Sequence, residues 1–280
     1  MTRQAHPPVI FCIIPAMPRS GTLGNPQPYT FFGTFAGLPF WPGGLTLLAA
    51  APGIGKTSWL LRMLFEAATS GVPAALGCYE HTPEELKFRL SMQAEALVAR
   101  AHGKADFAQV EQKLAGASET VLLSLSDQHD TVRALEDTLL LDYGFPRKGP
   151  ALVAVDYLSR IPVVGLTGML PEAQKGGEAA AALRDLSRQH GWAIIAAAAL
   201  RSETFDEGEE LSALLGDERV PYVADRVLLV RRAEKVRDCG CVTLSVHTLK
   251  DRTGPARTWQ MQFWGERFFP ALESEFDWHD

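Results

Sequence analysis

The chain has 280 residues, 46% hydrophobic and 21% charged, which suits one large α/β domain or two small ones and excludes a disordered chain or a fibre. Its 27 Lys and Arg stand against 33 Asp and Glu, a net charge of -6. This excludes a general attraction to nucleic acid or an anionic membrane, so any bound polyanion must meet a local basic surface. Cys12, Cys78, Cys239 and Cys241 lack metal-type spacing and read as reduced thiols of a cytoplasmic protein. The apolar run from Val9 to Met17 is short and broken by Pro15, which reads as an extension or edge strand rather than a signal peptide. No run approaches the length of a membrane helix, so no membrane partner is expected.

Residues 1–28, rich in Pro, Gly and Ser and ending Asn25-Pro26-Gln27-Pro28, read as a flexible N-terminal extension, with one folded domain over 29–280. From Tyr29, apolar runs alternate with helical patterns. Strands are predicted at Leu45–Ala50, Pro73–Tyr79, Thr120–Leu125, Ala151–Asp156 and Ala193–Leu200, with helices starting near Lys56, Pro83, Thr131 and Glu172. This alternation predicts an α/β fold with a mainly parallel sheet flanked by helices. The uninterrupted apolar runs are those of strands buried on both faces. After Arg226 the pattern becomes Val227–Val230, Val242–Leu249 and Thr258–Phe263, separated by turn-forming segments, which predicts antiparallel strands at the C-terminal end.

The segment Ala50-Ala-Pro-Gly-Ile-Gly-Lys-Thr57 fits the P-loop pattern, follows a predicted strand and opens a helix. In such a loop Pro52, Gly53, Ile54, Gly55 and Ser58 shape and surround the phosphate cradle. Lys56 reaches the β and γ phosphates, and the Thr57 hydroxyl ligates Mg²⁺. A second Mg²⁺ carboxylate is expected at the end of another core strand, and Asp156 has that position. ATP and Mg²⁺ are therefore the expected cofactors.

Several further segments, in this order, resemble the DnaB-type replicative helicases among the RecA-like ATPases: Gly77-Cys-Tyr-Glu80 leading into Arg89; Asp156-Tyr157-Leu158; Ser212 to Ala224-Asp225; Lys250-Asp251-Arg252-Thr-Gly-Pro255; and Phe263 to Phe269. The resemblance implies a RecA-like P-loop NTPase fold and roles for further residues. Glu80 would be the general base for the attacking water. Lys250 and Arg252 would be cations supplied to the nucleotide of a neighbouring subunit, and Arg231 or Arg232 would flank the adenine. It also implies a ring homo-oligomer, a hexamer, acting on single-stranded DNA in replication or repair.

The chain departs from that family at three places. Ala199 stands where the family carries a γ-phosphate-sensing glutamine. The segment Ser202–Glu210 holds five acids and no base, the wrong sign for a loop that touches a nucleic-acid backbone, and Leu215 replaces a family arginine. A short extension stands in place of the family's helical N-terminal domain. These departures give a second reading: a nucleotide-dependent scaffold or regulatory ATPase that binds protein partners and does not unwind DNA. A kinase or transferase on the same loop is weaker, having no use for the Lys250/Arg252 pair. The aromatics from Tyr29 to Trp41, including Phe31, Phe32, Phe35 and Phe40, read as core or subunit interface, with base stacking the minor alternative.

Overall fold

The computed structural model describes residues 38–102, 107–117, 120–163, 172–204, 211–216, 218–236 and 241–272. The extension 1–28, the aromatics Tyr29 to Phe35 and residues 205–210 of the acidic segment lie outside the described residues.

Among the described residues nine strands form one sheet: β1 (Leu45–Ala50), β2 (Ala74–Cys78), β3 (Val121–Ser124), β4 (Leu152–Asp156), β5 (Ala193–Ala199), β6 (Arg226–Val236), β7 (Cys241–Asp251), β8 (Thr258–Trp264) and β9 (Phe269–Leu272). Their order is β3-β2-β4-β5-β1-β6-β7-β8-β9. The pairs from β3 to β6 are parallel, and those from β6 to β9 antiparallel. The helices α1 (Lys56–Thr69), α2 (Pro83–His102), α3 (Phe107–Ala117), α4 (Val132–Asp137), α5 (Glu172–His190) and α6 (Arg219–Val223) cover the faces. The predicted α/β architecture, with its antiparallel C-terminal end, is the observed one.

Two apolar layers explain why the central strands carry no polar face. Along β1, Leu45, Leu47 and Ala49 point into the layer with α5 and α6, whereas Leu48 and Ala50 point into the layer with α1 and α2. Strand side chains alternate between faces, so a strand covered on both sides must be apolar at every step. Helix α1 is itself buried on all sides from Thr57 to Ala68, packed between the central strands, α2, α3 and the last strand of the sheet, β9. Of the aromatic cluster, Phe40 enters this core and is 2% exposed, as expected for a packing residue.

Some elements differ from those the sequence predicts. Helix α3 is an addition, and β6 continues to Val236 as a ribbon paired with β7. The segment Phe263–Phe269, which the resemblance to the family implies is a closing strand, instead spans the end of β8 and the start of β9, joined by a 3-10 turn at Gly265–Arg267, with Phe268 in the left-handed region at φ 51. That turn reverses the chain so that Phe263 pairs with Pro270.

Candidate active site

The glycine-rich loop leaves the C-terminal end of β1. Gly53 and Gly55 have φ of +77° and +92°, in the left-handed region that favours glycine. Gly55 immediately precedes α1. A Cβ on Gly53 would meet open space, whereas one on Gly55 would lie 2.7 Å from Cζ of Phe263 on β8. Gly55→Ala is therefore expected to combine backbone strain of about 1–3 kcal/mol with displacement of that ring. Denaturant midpoints should fall further for Gly55→Ala than for Gly53→Ala, which carries strain without the contact; equal losses would show that Phe263 does not constrain the loop.

Lys56 Nζ donates to the carbonyls of Ala50 (3.0 Å) and Ala51 (3.3 Å), curling over the loop. Burial lowers its pKa, opposed by Asp156 and Glu80. The Thr57 hydroxyl donates to Oδ2 of Asp156 at 2.6 Å. This bond crosses the sheet, because β5 separates β4 from β1. Two sequence-predicted ligands, 99 residues apart, thus meet in one buried spot. Asp156 is 1% exposed. Burial raises its pKa, the Thr57 bond opposes the rise, and Glu80 adds repulsion.

Glu80 follows β2, whose Cys78 is in register with Asp156. One ligand atom each from Glu80, His81 and Asp156 lies within 4.8 Å of the others. Helix α2 starts immediately afterwards with a reciprocal capping box: Thr82 N donates to Glu85 Oε2 (2.9 Å) and Glu85 N to Thr82 Oγ1 (3.3 Å). Cys78 Sγ stands 4.0 Å from Asp156 Oδ2, and burial first, then Asp156, push its thiol up to about 11. That thiol is protonated and inert. The sequence motifs do not single out His81, which the turn places beside Glu80 and Asp156. A signal exists in Thr82-x-x-Glu85, which fixes a helix start and so puts residues 80 and 81 at a strand-to-helix turn.

Ala199 is in register with Ala50 at the mouth of the loop, between the strands that carry Asp156 and the glycines. Its carbonyl accepts from Leu215 N at 2.8 Å, and its side chain ends in a methyl. Arg232 lies exposed on β6, two residues beyond Val230, which pairs with Ala50. It therefore sits at the same end of the sheet as the loop. Arg231 instead donates to the carbonyl of Thr204 at 2.7 Å.

Lys250 and Arg252 are elsewhere. Lys250 pairs with Val227 and Asp251 with Arg226, which in turn pairs with Thr46 near the start of β1. Four residue steps along β1 separate Thr46 from Ala50, about 13 Å at roughly 3.3 Å per residue, so the pair occupies the end of the sheet opposite its own glycine-rich loop. Both cations converge on the C-terminal carbonyls of α6. Lys250 Nζ donates to Pro221 O (2.6 Å) and Tyr222 O (3.0 Å), and Arg252 to Tyr222 O (2.7 Å). Asp225 anchors this end of the sheet, bonding Leu45 N and Arg184 at 2.8 Å each and standing 3.5 Å from Arg252.

The fold recurs in known proteins. The family model described as "DnaB-like helicase C terminal domain" matches residues 34–268. The chain belongs to this family. Among solved structures it is similar to a DnaB-like replicative helicase studied with its interactions with primase (17% identity, TM-score 0.71, covering 83% of this chain and 59% of that one). It is also similar to a second solved structure, described as an ATPase domain (17% identity, TM-score 0.70, covering 83% of this chain and 86% of that one). At this identity the two structures establish the shared fold, and the chain spans 59% of the length of the first. No curated protein sequence matches. Among the described residues no helix is long and apolar enough to cross a membrane.

The donor set of this DnaB-like domain fits a magnesium nucleotide. A hydroxyl and a buried carboxylate give the all-oxygen pair that Mg²⁺ takes, and a divalent cation would offset the burial and repulsion that raise the Asp156 pKa. Backbone N–H groups of a left-handed glycine turn at a helix N-terminus suit phosphate.

Proposed function

We propose that this chain is an Mg²⁺-dependent ATPase that works as a homo-oligomeric ring, a hexamer, and acts on single-stranded DNA, with residues 29–280 as its ATPase domain. The single observation that carries the reading is the buried Thr57–Asp156 hydrogen bond of 2.6 Å beside the glycine turn and Lys56. Pro52, Gly53, Ile54, Gly55, Lys56, Thr57 and Ser58 bind the phosphates, Thr57 and Asp156 hold Mg²⁺, and Arg232 flanks the base. Bound Mg²⁺ neutralises phosphate charge. Glu80 orients the attacking water and accepts its proton. Lys250 and Arg252 serve the nucleotide of the next subunit, a role supported by their position at the far end of the sheet from their own loop.

A second reading is favoured by Ala199. A methyl at the strand end beside Ala50 offers no hydrogen bond to a phosphate, so turnover and movement along DNA would be uncoupled and the chain would act as a nucleotide-dependent scaffold for protein partners. One experiment separates the readings: ATP turnover with and without single-stranded DNA over a range of protein concentrations, alongside a DNA-binding titration at two salt concentrations. A translocase shows turnover per chain that rises with concentration and with DNA, and a DNA affinity that falls with salt. Turnover indifferent to DNA, with no binding at low salt, leaves the scaffold.

A further inference from the structure

The strand-to-helix turn after β2 brings an imidazole into a site whose chemistry otherwise needs only oxygen. Glu80, His81 and Asp156 each present a ligand atom, all within 4.8 Å of one another; two bonds of about 2.0–2.2 Å span roughly 4.0–4.4 Å, so a bound ion draws the exposed Glu80 and the partly exposed His81 in by a few tenths of an ångström towards the buried Asp156. Two come from the turn after β2 and one from the end of the neighbouring strand β4, and they are exposed, partly exposed and buried in turn, which gives an entering cation a path from solvent to an anchored carboxylate.

A second observation concerns the histidine itself. His81 Nδ1 stands 3.5 Å from Glu85 Oε2, the oxygen that also caps α2 through Thr82 N. A carboxylate near one ring nitrogen favours the proton there and leaves the other nitrogen available as a ligand, the arrangement that supports histidine in metal sites. The capping box holds Glu85 in place, so this support is built into the start of the helix.

Mg²⁺ is a poor match for such a set, since it prefers oxygen and keeps its waters. Imidazole with carboxylates suits the borderline divalent ions, for which affinity rises from Mn²⁺ towards Cu²⁺ and remains high at Zn²⁺. We propose that Glu80 and His81, with Asp156 as a ligand shared with the Mg²⁺ pair, form an alternative cation site for a borderline divalent transition metal such as Zn²⁺, and that its occupancy inhibits ATP turnover by engaging Glu80. The effect on turnover rests on the functional reading above; the metal site does not. No bond is made or broken beyond ligation, and Glu80 bound to the ion is held away from the attacking water and made less basic by the cation's charge.

The test uses Co²⁺ as a coloured probe on the nucleotide-free chain. Titration should give a visible absorption band that saturates with a His81-dependent component of one ion per chain and is displaced by Zn²⁺. His81→Ala should weaken that component at least about tenfold, and Glu85→Gln, which keeps a capping residue at the third helical position, should weaken it by about tenfold through loss of the supporting carboxylate. Should His81→Ala fail to fold, His81→Asn carries the same comparison. Lys56→Ala should keep the band, since removing a nearby cation only favours another. A band absent from the wild type, or unchanged in the His81 variants, overturns the proposal. Binding of a fluorescent ATP analogue with Mg²⁺, measured on the same protein, reports separately on the functional reading: its loss with an intact His81-dependent band sinks only that reading, and the converse sinks only the metal site.

Discussion

Arg252→Ala is expected to lower ATP turnover by about 10³ to 10⁵, the range for an arginine supplied to a transferring phosphoryl group, while leaving the fold nearly as stable as the wild type. The two halves of this expectation come from different contacts. Arg252 is 47% exposed, and its ionic partner Asp225 keeps Leu45 N and Arg184 at 2.8 Å after the arginine is gone. Exposed ion pairs contribute about 0–1 kcal/mol, so thermal unfolding should shift little. Turnover, by contrast, depends on where the side chain can act. Its own glycine-rich loop lies at the opposite end of the sheet, about 13 Å of strand away by the rise per residue, and the arginine currently rests on the Tyr222 carbonyl. Rings assembled from mixed wild-type and Arg252→Ala chains should therefore lose activity faster than simple dilution. A strictly proportional loss would show that each chain supplies its own cation, and the trans assignment would fall. Arg252→Lys should not rescue fully, because an ammonium lacks the planar fork that grips phosphate oxygens.

That opposite-end placement shows what the sequence could and could not disclose. The placement of the candidate site residues was legible. The glycines, Lys56, Thr57 and Asp156 are read from residue type and from their place at the ends of apolar runs, because phosphate and cation sites gather at the carboxyl ends of parallel strands. The buried strands were legible for a related reason: with helices on both faces, every position from Leu45 to Ala50 had to be apolar or small. Strand order was not legible. Nothing in the spacing of Lys250 and Arg252 says that Asp251 pairs with Arg226 and thereby lands beside the start of β1.

The elements that escaped did so for identifiable reasons. Helix α3 has Gly116 in its last turn, a residue that weakens a helical reading. Strand β9 holds Pro270 among four residues and follows a residue with positive φ, both features of a turn rather than a strand. The outer half of β6, Arg231–Val236, is charged because it pairs only with β7 beyond the parallel sheet, and charged residues are ordinary on such a ribbon. His81 escaped because a lone histidine beside a glutamate carries no metal spacing in sequence; only β2 pairing with β4 brings Asp156 to it.

The residue whose replacement bears most directly on chemistry is Glu80. Glu80→Gln should reduce turnover by about 10² to 10⁴, the usual contribution of a positioned general base, with nucleotide binding retained or tightened. Retention follows from the separation of tasks: Lys56 bonds to the loop carbonyls and Thr57 to Asp156, and neither contact involves Glu80. Tightening is expected because Glu80 repels Asp156 and contributes to its raised pKa. Without that charge the Asp156 carboxylate ionises more readily and holds a cation better. The fold should tolerate the change, since Glu80 is exposed and the capping box of α2 uses Thr82 and Glu85 instead. Single-turnover hydrolysis and equilibrium titration of a fluorescent ATP analogue measure the two quantities apart. Unchanged turnover would remove Glu80 from the role of base, whereas loss of binding together with turnover would mean that it holds the nucleotide rather than activating water. The same variant bears on the cation site, because amide for carboxylate deletes one of its three ligands. If Zn²⁺ acts by engaging Glu80, the residual turnover of Glu80→Gln should be less sensitive to Zn²⁺ than that of the wild type, and equal sensitivity would place the inhibition at another site.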